Sequence, residues 1–371
     1  MPDPFEYADA LTTGPLKGRG AAINPGNRFE SVRLHVLGEY IDQQRVEGEQ
    51  PRQLPTIVYE DETRTIINHV DPRKSPDIPF EWSINPYRGC AHGCIYCYAR
   101  PDHERLGFSC GLDFETRLVA KPNAPALLRK ELAAPKWKGE VIAMSGVTDC
   151  YQPIEAKMKI TRGCLEVMAD FRQPVGIVTK NRLVLRDLDL LKELAAHRAV
   201  HVAISVTTLD NALAAKMEPR ASSPGDRLRA IRELTEAGVP TMAMVAPIIP
   251  GLTDKEVPAI LEAVAAAGAI SAGYVLLRLP HQIKALFLEW LARHLPERAG
   301  HVEALIRDTR DGELYQSAHY ERKRGTGAIA EQIRDMFKLF CRRYGLDRSM
   351  PAYAKESFRR PGDGQLSLFG C

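Results

Sequence analysis

The stretch Asn85 to Pro101, NPYRGCAHGCIYCYARP, packs Cys90, Cys94 and Cys97 into a single loop of a chain that holds only eight cysteines in 371 residues. The first thirty residues contain no basic start followed by an apolar run, so a secretory leader is not expected. The expected setting is therefore cytoplasmic. In a reducing compartment clustered thiols signal a metal or redox site rather than disulfides.

Composition sets wide bounds. Apolar residues make up 44%, enough for a large core, and charged residues 26%, ordinary for a soluble protein. The net charge of +3 argues neither for nor against a polyanionic partner. The most apolar run, AILEAVAAAGAISAGYVLL (Ala259 to Leu277), holds Glu262 and two glycines. It reads as helix, turn and strand rather than a membrane span.

Outward from the cysteine loop the pattern is regular. Residues 1–80 are rich in Pro, Gly and charge and read as an extended, wrapping arm with a short strand near Thr56 to Tyr59. From Trp82 to His294, β-rich apolar runs alternate with amphipathic ones. EVIAMSGVT, PVGIVTK, VHVAISV, VPTMAMVAPII and AGYVLLRL read as strands. The helices between them include SPGDRLRAIRELTEAG, with Ser223 as cap and Gly238 at its end. Continuous apolar strands separated by helices mean a parallel sheet covered by helices. About six such units fall short of an eight-unit barrel and predict an α/β fold, a partial (β/α)6 TIM-like barrel. The expected division is an arm at 1–80, a core at 81–294 and a helical, basic extension at 295–371. In the extension, Ile329, Ile333, Met336, Phe337 and Phe340 share one helical face.

The spacing C-x3-C-x2-C lets three thiolates wrap one face of a cubic iron–sulfur cluster and leaves the fourth iron without a protein thiolate. An open metal position is where chemistry takes place. Two other readings stand beside it: a zinc knuckle with His92 or His103 as fourth ligand, and a redox dithiol formed by Cys94 and Cys97.

With Tyr96 just before the last cysteine and a series of βα units following, the chain resembles the radical S-adenosylmethionine superfamily. NPYRGCAHGCIYCYAR, GVTDCYQPIE, VTKN, SVTTLD, MEPRASSP and PIIPGLTD resemble its spore-photoproduct-lyase-like group, the DNA repair photolyase-like proteins. The resemblance implies that Cys90, Cys94 and Cys97 hold one 4Fe–4S cluster. It implies that S-adenosylmethionine chelates the fourth iron and is cleaved by one electron, so that a 5′-deoxyadenosyl radical abstracts hydrogen from a substrate. An electron donor such as flavodoxin or ferredoxin is then expected, and no membrane.

Strand ends on the active face supply the remaining candidates for S-adenosylmethionine: Tyr96, Ser145, Gly146, Asp149, Glu155, Lys180, Ser205, Thr207 and Arg220. Lys180 suits the methionine carboxylate, and Ser205 and Thr207 suit the ribose. Glu218 and Arg220 read as an anchored pair. Asp149 and Glu155 read equally as helix caps or ion-pair members. Spore photoproduct lyase uses an extra cysteine near its second strand as hydrogen donor; here Ser145, Gly146 and Val147 stand at that place and Cys150 follows, the one candidate donor. Cys164 and Cys341 fall in helical patterns and read as small hydrophobes; Cys110 falls in a loop, and Cys371 is the last residue.

From His319 to Arg360 eleven Lys/Arg face five Asp/Glu, a local +6 with interleaved aromatics. That composition suits backbone contacts to nucleic acid, and equally a solvated basic face over a helix that closes the barrel. The substrate classes that follow are a nucleic acid, or a protein or small molecule.

Overall fold

The computed structural model describes residues 8–10, 18–29 and 54–361. Cys371 and much of the segment read as an arm lie outside them. The strands are β1 (Ala8–Ala10), β2 (Ile23–Pro25), β3 (Ile57–Glu60), β4 (Asn68–His69), β5 (Trp82–Ile84), β6 (Tyr87–Arg88), β7 (Arg117–Ala120), β8 (Ile142–Met144), β9 (Val175–Thr179), β10 (Val200–Ser205), β11 (Thr241–Ile248) and β12 (Ser271–Leu276).

Six of these form one parallel series in chain order, β5, β8, β9, β10, β11 and β12, with β4 antiparallel on the outer edge of β5. The ends of the series do not pair with each other, so the barrel is a partial one with six parallel strands. The expected short strand near Thr56 is β3, which belongs to a separate small sheet in the order β3-β7-β6. The sequence pattern alone did not separate β7 from the loop before it. The first crossover, from β5 to β8, carries the cysteine loop, β6, β7 and the helix α1 (Ala124–Ala133).

Each later crossover carries at least one helix: α2 (Ile160–Phe171), α3 (Leu188–Ala196), α4 (Asn211–Met217) and α5 (Pro224–Glu236) together, and α6 (Val257–Ala266). In α5 the Ser223 hydroxyl accepts the Asp226 N–H at 3.2 Å, Pro224 sits at the first helical position, and Gly238 follows at φ +78°. The start and stop signals in the sequence work as capping chemistry predicts. Strand residues such as Ile84, Ile142, Met144, Ile177, Val202 and Val245 are buried in the main core, whose apolar area supplies most of the drive to fold.

Beyond β12 come α7 (Ile283–His294), α8 (Pro296–Asp308) and α9 (Gly327–Tyr344). The α9 face read from the sequence is the packed one. Ile333 and Phe337 are buried with Ala330 and Cys341, Ile329, Met336 and Phe340 pack beside them, and the Phe337 ring lies 4.6 Å from Tyr274 of β12. After α9 the chain returns along β12: the Ala272 N–H donates to Leu346 O at 3.0 Å and Ser271 bridges Asp347. This covers a sheet edge that would otherwise offer unpaired backbone groups.

Candidate functional site

The cysteine loop begins where β5 ends and is clamped on every side. Cys90 N donates to Phe114 O at 2.9 Å and Ile95 N to Met217 O at 3.0 Å. Gln152, fully buried, accepts from Ala91 N at 2.8 Å and donates to Gly89 O at 3.1 Å, so one side chain grips the backbone on both sides of Cys90. Gly93 turns the loop at φ +69°, and its missing side chain leaves room for Glu115 and Pro219. Glu115, also fully buried, accepts from Arg100 at 2.6 Å and from Gly20 N and Ala21 N at 3.0 and 2.9 Å. The described part of the arm is thereby tied directly to the loop.

The three thiols are free, and burial raises the pKa of each. Three enclosed, soft sulfur donors that resist ionisation suit a centre whose own positive charge stabilises thiolates. A single zinc ion needs its ligands to converge on one point. Among the described residues no group of three or more His, Cys, Asp or Glu side chains is placed to do so. His92 does not stand free as a fourth ligand. Burial pushes His92 down to about 4, so it is neutral. Its Nδ1 stands 3.4 Å from Asp149 and its Nε2 3.0 Å from the Asn181 amide. His103 is packed between Phe108 and Phe114.

A buried polar cluster lies beside Cys94. Glu218 accepts from Arg227, from the Tyr96 hydroxyl, and from Thr207 Oγ1 at 2.8 Å. Lys180 Nζ is 3.4 Å from Glu218, 3.2 Å from Thr207 and 3.0 Å from Ala246 O, and lies 5.7 Å from the centre of the Tyr96 ring. Burial, with Arg227 close by, pushes Lys180 down to about 8. Lys180 and Thr207, from the ends of β9 and β10, thus meet Tyr96 of the cysteine loop in one buried cluster. Ser205 sits just below, its carbonyl accepting from Arg227 at 3.2 Å.

Other candidates fall elsewhere. Ser145 takes φ 72° and its hydroxyl accepts Cys150 N–H at 2.8 Å; Gly146 O accepts the Tyr98 hydroxyl at 2.8 Å. Asp149 joins the loop to β9, accepting from Thr179 Oγ1 and Lys180 N, both at 2.8 Å. Glu155 is a buried ion-pair member rather than a site-facing group: Arg186 at 2.6 Å, Thr161 N at 3.0 Å and the Tyr87 hydroxyl occupy its oxygens. The expected Glu218–Arg220 pair is corrected. Glu218 pairs with Arg227, one helical segment further on, because Arg220 is turned outward to Thr56 Oγ1 at 3.4 Å. Cys150 is fully buried in the main core, as is Cys164. Gln152, Glu115 and Arg227 were not singled out from the sequence; Gln152 does lie inside the DCYQPIE stretch.

A parallel six-strand partial barrel with a three-thiol loop after its first strand defines a class of iron–sulfur enzyme core. The sequence model of the radical SAM superfamily matches residues 84–264. An uncharacterized protein of Mycobacterium tuberculosis is 39% identical over 232 residues, 62% of this chain and 68% of its own. An uncharacterized protein of Methanocaldococcus jannaschii is 35% identical over 187 residues, 50% of this chain and 67% of its own. Among solved structures, spore photoproduct lyase complexed with dinucleoside spore photoproduct superposes with a TM-score of 0.55 at 17% identity, covering 78% of this chain and 79% of that one, and so shares the fold. The chain belongs to the radical SAM superfamily, and its cofactors are a 4Fe–4S cluster and S-adenosylmethionine. Among the described residues no helix is long and apolar enough to cross a membrane.

Proposed function

We propose that this chain uses radical S-adenosylmethionine chemistry to abstract hydrogen from a polyanionic substrate, a nucleic acid. When bound, the two cofactors supply reductive cleavage of S-adenosylmethionine and a hydrogen-abstracting radical. Cys90, Cys94 and Cys97 hold the cluster. Lys180 takes the methionine carboxylate, Ser205 and Thr207 take the ribose hydroxyls, and Ser145 and Gly146 meet the amino group. Tyr96, anchored on Glu218, walls the pocket. Burial of these groups excludes water from the reacting centre.

The observation that supports the substrate class is the charge at the rim where β12 ends. Tyr98 is exposed there, and the Arg278 guanidinium lies 5.0 Å from its ring centre. Arg310 is 1% exposed, and its hydrogen bonds go to the carbonyls of Leu277, Glu321 and Arg322. Burial, with Arg278 nearby, pushes it down to about 10. His319, Arg322 and Lys323 converge on the single carboxylate of Asp77. Cations in excess of carboxylates around one mouth concentrate anions, and guanidinium groups suit phosphate. The helix α9 instead spends its apolar face on the core, so the basic tail contributes charge and not a stacking platform. That the similar spore photoproduct lyase was solved with a dinucleoside photoproduct agrees with this reading.

The test uses anaerobically reconstituted protein. About four irons per chain, an electron paramagnetic resonance spectrum perturbed by S-adenosylmethionine, and 5′-deoxyadenosine release that is lost in Cys94→Ala are expected. Polynucleotide titrated at several salt concentrations should show a salt-dependent affinity, weakened in Arg278→Gln. Zinc in place of iron would overturn the chemistry; salt-independent or absent polynucleotide binding would overturn the substrate class.

A further inference from the structure

The described part of the arm packs against the cluster loop. A Cβ built on Gly20 would stand 1.9 Å from the Gly93 carbonyl oxygen, so the arm backbone rests directly on the turn between Cys90 and Cys94. Around this contact basic side chains gather from three parts of the chain. Arg19 and Arg220 both reach Thr56 Oγ1, at 3.1 and 3.4 Å, and Arg220 N donates to His92 O within the loop at 3.2 Å. Arg293 of α7 reaches Gly20 O at 3.5 Å. Lys216, near the end of α4, is exposed, and its carbonyl accepts from Trp290 of α7 at 3.1 Å.

Of these four cations, one has a carboxylate ion-pair partner among the described residues. Glu289 stands 3.0 Å from Arg293. Glu115 is fully buried and committed to Arg100 and the arm backbone. Arg19 donates to the carbonyls of Glu115 and Leu54, at 2.9 and 2.8 Å, and meets Arg220 at the Thr56 hydroxyl. Burial and the charge of Arg220 both push Arg19 down. Two guanidinium groups held together over one hydroxyl form a contact that an incoming anionic group would relieve.

We infer that the face made by Arg19, Lys216, Arg220 and Arg293 around Gly20 is the docking surface of an acidic one-electron donor protein. The inference rests on the radical S-adenosylmethionine reading above. Electron tunnelling falls steeply with distance, so a donor must sit where little protein separates it from the cluster. The rim formed by Tyr98 and Arg278 belongs to other elements and is left for substrate. An acidic surface meeting a basic one steers encounter and fixes orientation. One electron passes from the donor to the cluster and no group is transferred.

The test is 5′-deoxyadenosine formation by the full-length reconstituted protein, driven either by an acidic flavodoxin with its NADPH-dependent reductase or by dithionite. In Lys216→Glu the dithionite-driven rate stays within about twofold. The KM for flavodoxin rises about tenfold, the effect of 1.4 kcal/mol, and its dependence on salt flattens. In Arg220→Glu the ratio of flavodoxin-driven to dithionite-driven rate falls at least as far. An unchanged flavodoxin KM and an unchanged ratio in both variants would overturn the docking surface. So would loss of polynucleotide affinity in both variants with flavodoxin kinetics intact, which would assign the face to nucleic acid. Absence of 5′-deoxyadenosine from the unaltered protein under dithionite would remove the chemistry and the docking surface together, whereas the other adverse outcomes remove only the docking surface.

Discussion

Replacing Glu218 by Gln tests the buried cluster beside Cys94. Glu218 is 2% exposed and Arg227 1%. The carboxylate serves Arg227, Tyr96, Thr207 and Lys180 at once. The amide is neutral and turns an N–H₂ toward at least one of these donors, leaving two buried cations with no carboxylate. Breaking a buried pair by removing one partner costs about 3–5 kcal/mol. Burial already raises the pKa of Glu218 against the pull of Arg227, so its ionised form carries a desolvation cost and the lower end, about 3 kcal/mol, is expected. At roughly 1.3 °C per kcal/mol for a chain of 371 residues the melting temperature should fall by about 4 °C. Thermal unfolding of the cluster-free protein is the assay, since it separates the effect from cofactor loss. Glu218→Leu combined with Arg227→Met should recover part of the loss, because an apolar pair in place of a buried ion pair is close to neutral. A melting temperature within 1–2 °C of the parent for Glu218→Gln, or a double variant worse than the sum of the two single ones, would refute the argument.

Three further outcomes follow from the same geometry. Glu115→Gln weakens the grip on Arg100, Gly20 and Ala21, so limited proteolysis should cut near residues 18–29 much faster than in the parent, while the helices keep their protection. The Arg322 guanidinium beside Asp77 holds its carboxyl well below the usual carboxylate range. Its contribution is therefore present above that range and lost as pH falls through it, so the melting-temperature gap between the parent and Asp77→Asn should shrink from pH ~5 to pH ~3. Cys150→Ala should leave 5′-deoxyadenosine formation within about twofold and lower stability by about 1 kcal/mol, as expected of a small buried side chain. Product formation uncoupled from 5′-deoxyadenosine in that variant would instead make Cys150 the hydrogen donor.

The sequence by itself placed three thiols in one loop and gave the order of the parallel strands. Both are local: three thiols within one turn of chain need no distant partner to be recognised, and apolar strands alternating with helices repeat a period that burial imposes. Ser223 and Gly238 were legible as cap and stop for the same reason. The one helix face predicted in the extension, Ile333 with Phe337, came from a 3.6-residue period.

Only the tertiary structure decided which polar groups meet. Glu218 chose Arg227 over its near neighbour Arg220, because the chain between Glu218 and α5 turns Arg220 outward to Thr56. Glu155, which read as either a site carboxylate or an ion-pair member, is the latter, buried against Arg186. Gln152 and Glu115 became the clamps of the cysteine loop through contacts spanning 61 and 95 residues. Hydrogen bonding depends on distance and angle within a few tenths of an ångström, and sequence spacing carries that information only within an element. Across elements the packing of the core sets the geometry, and with it the site.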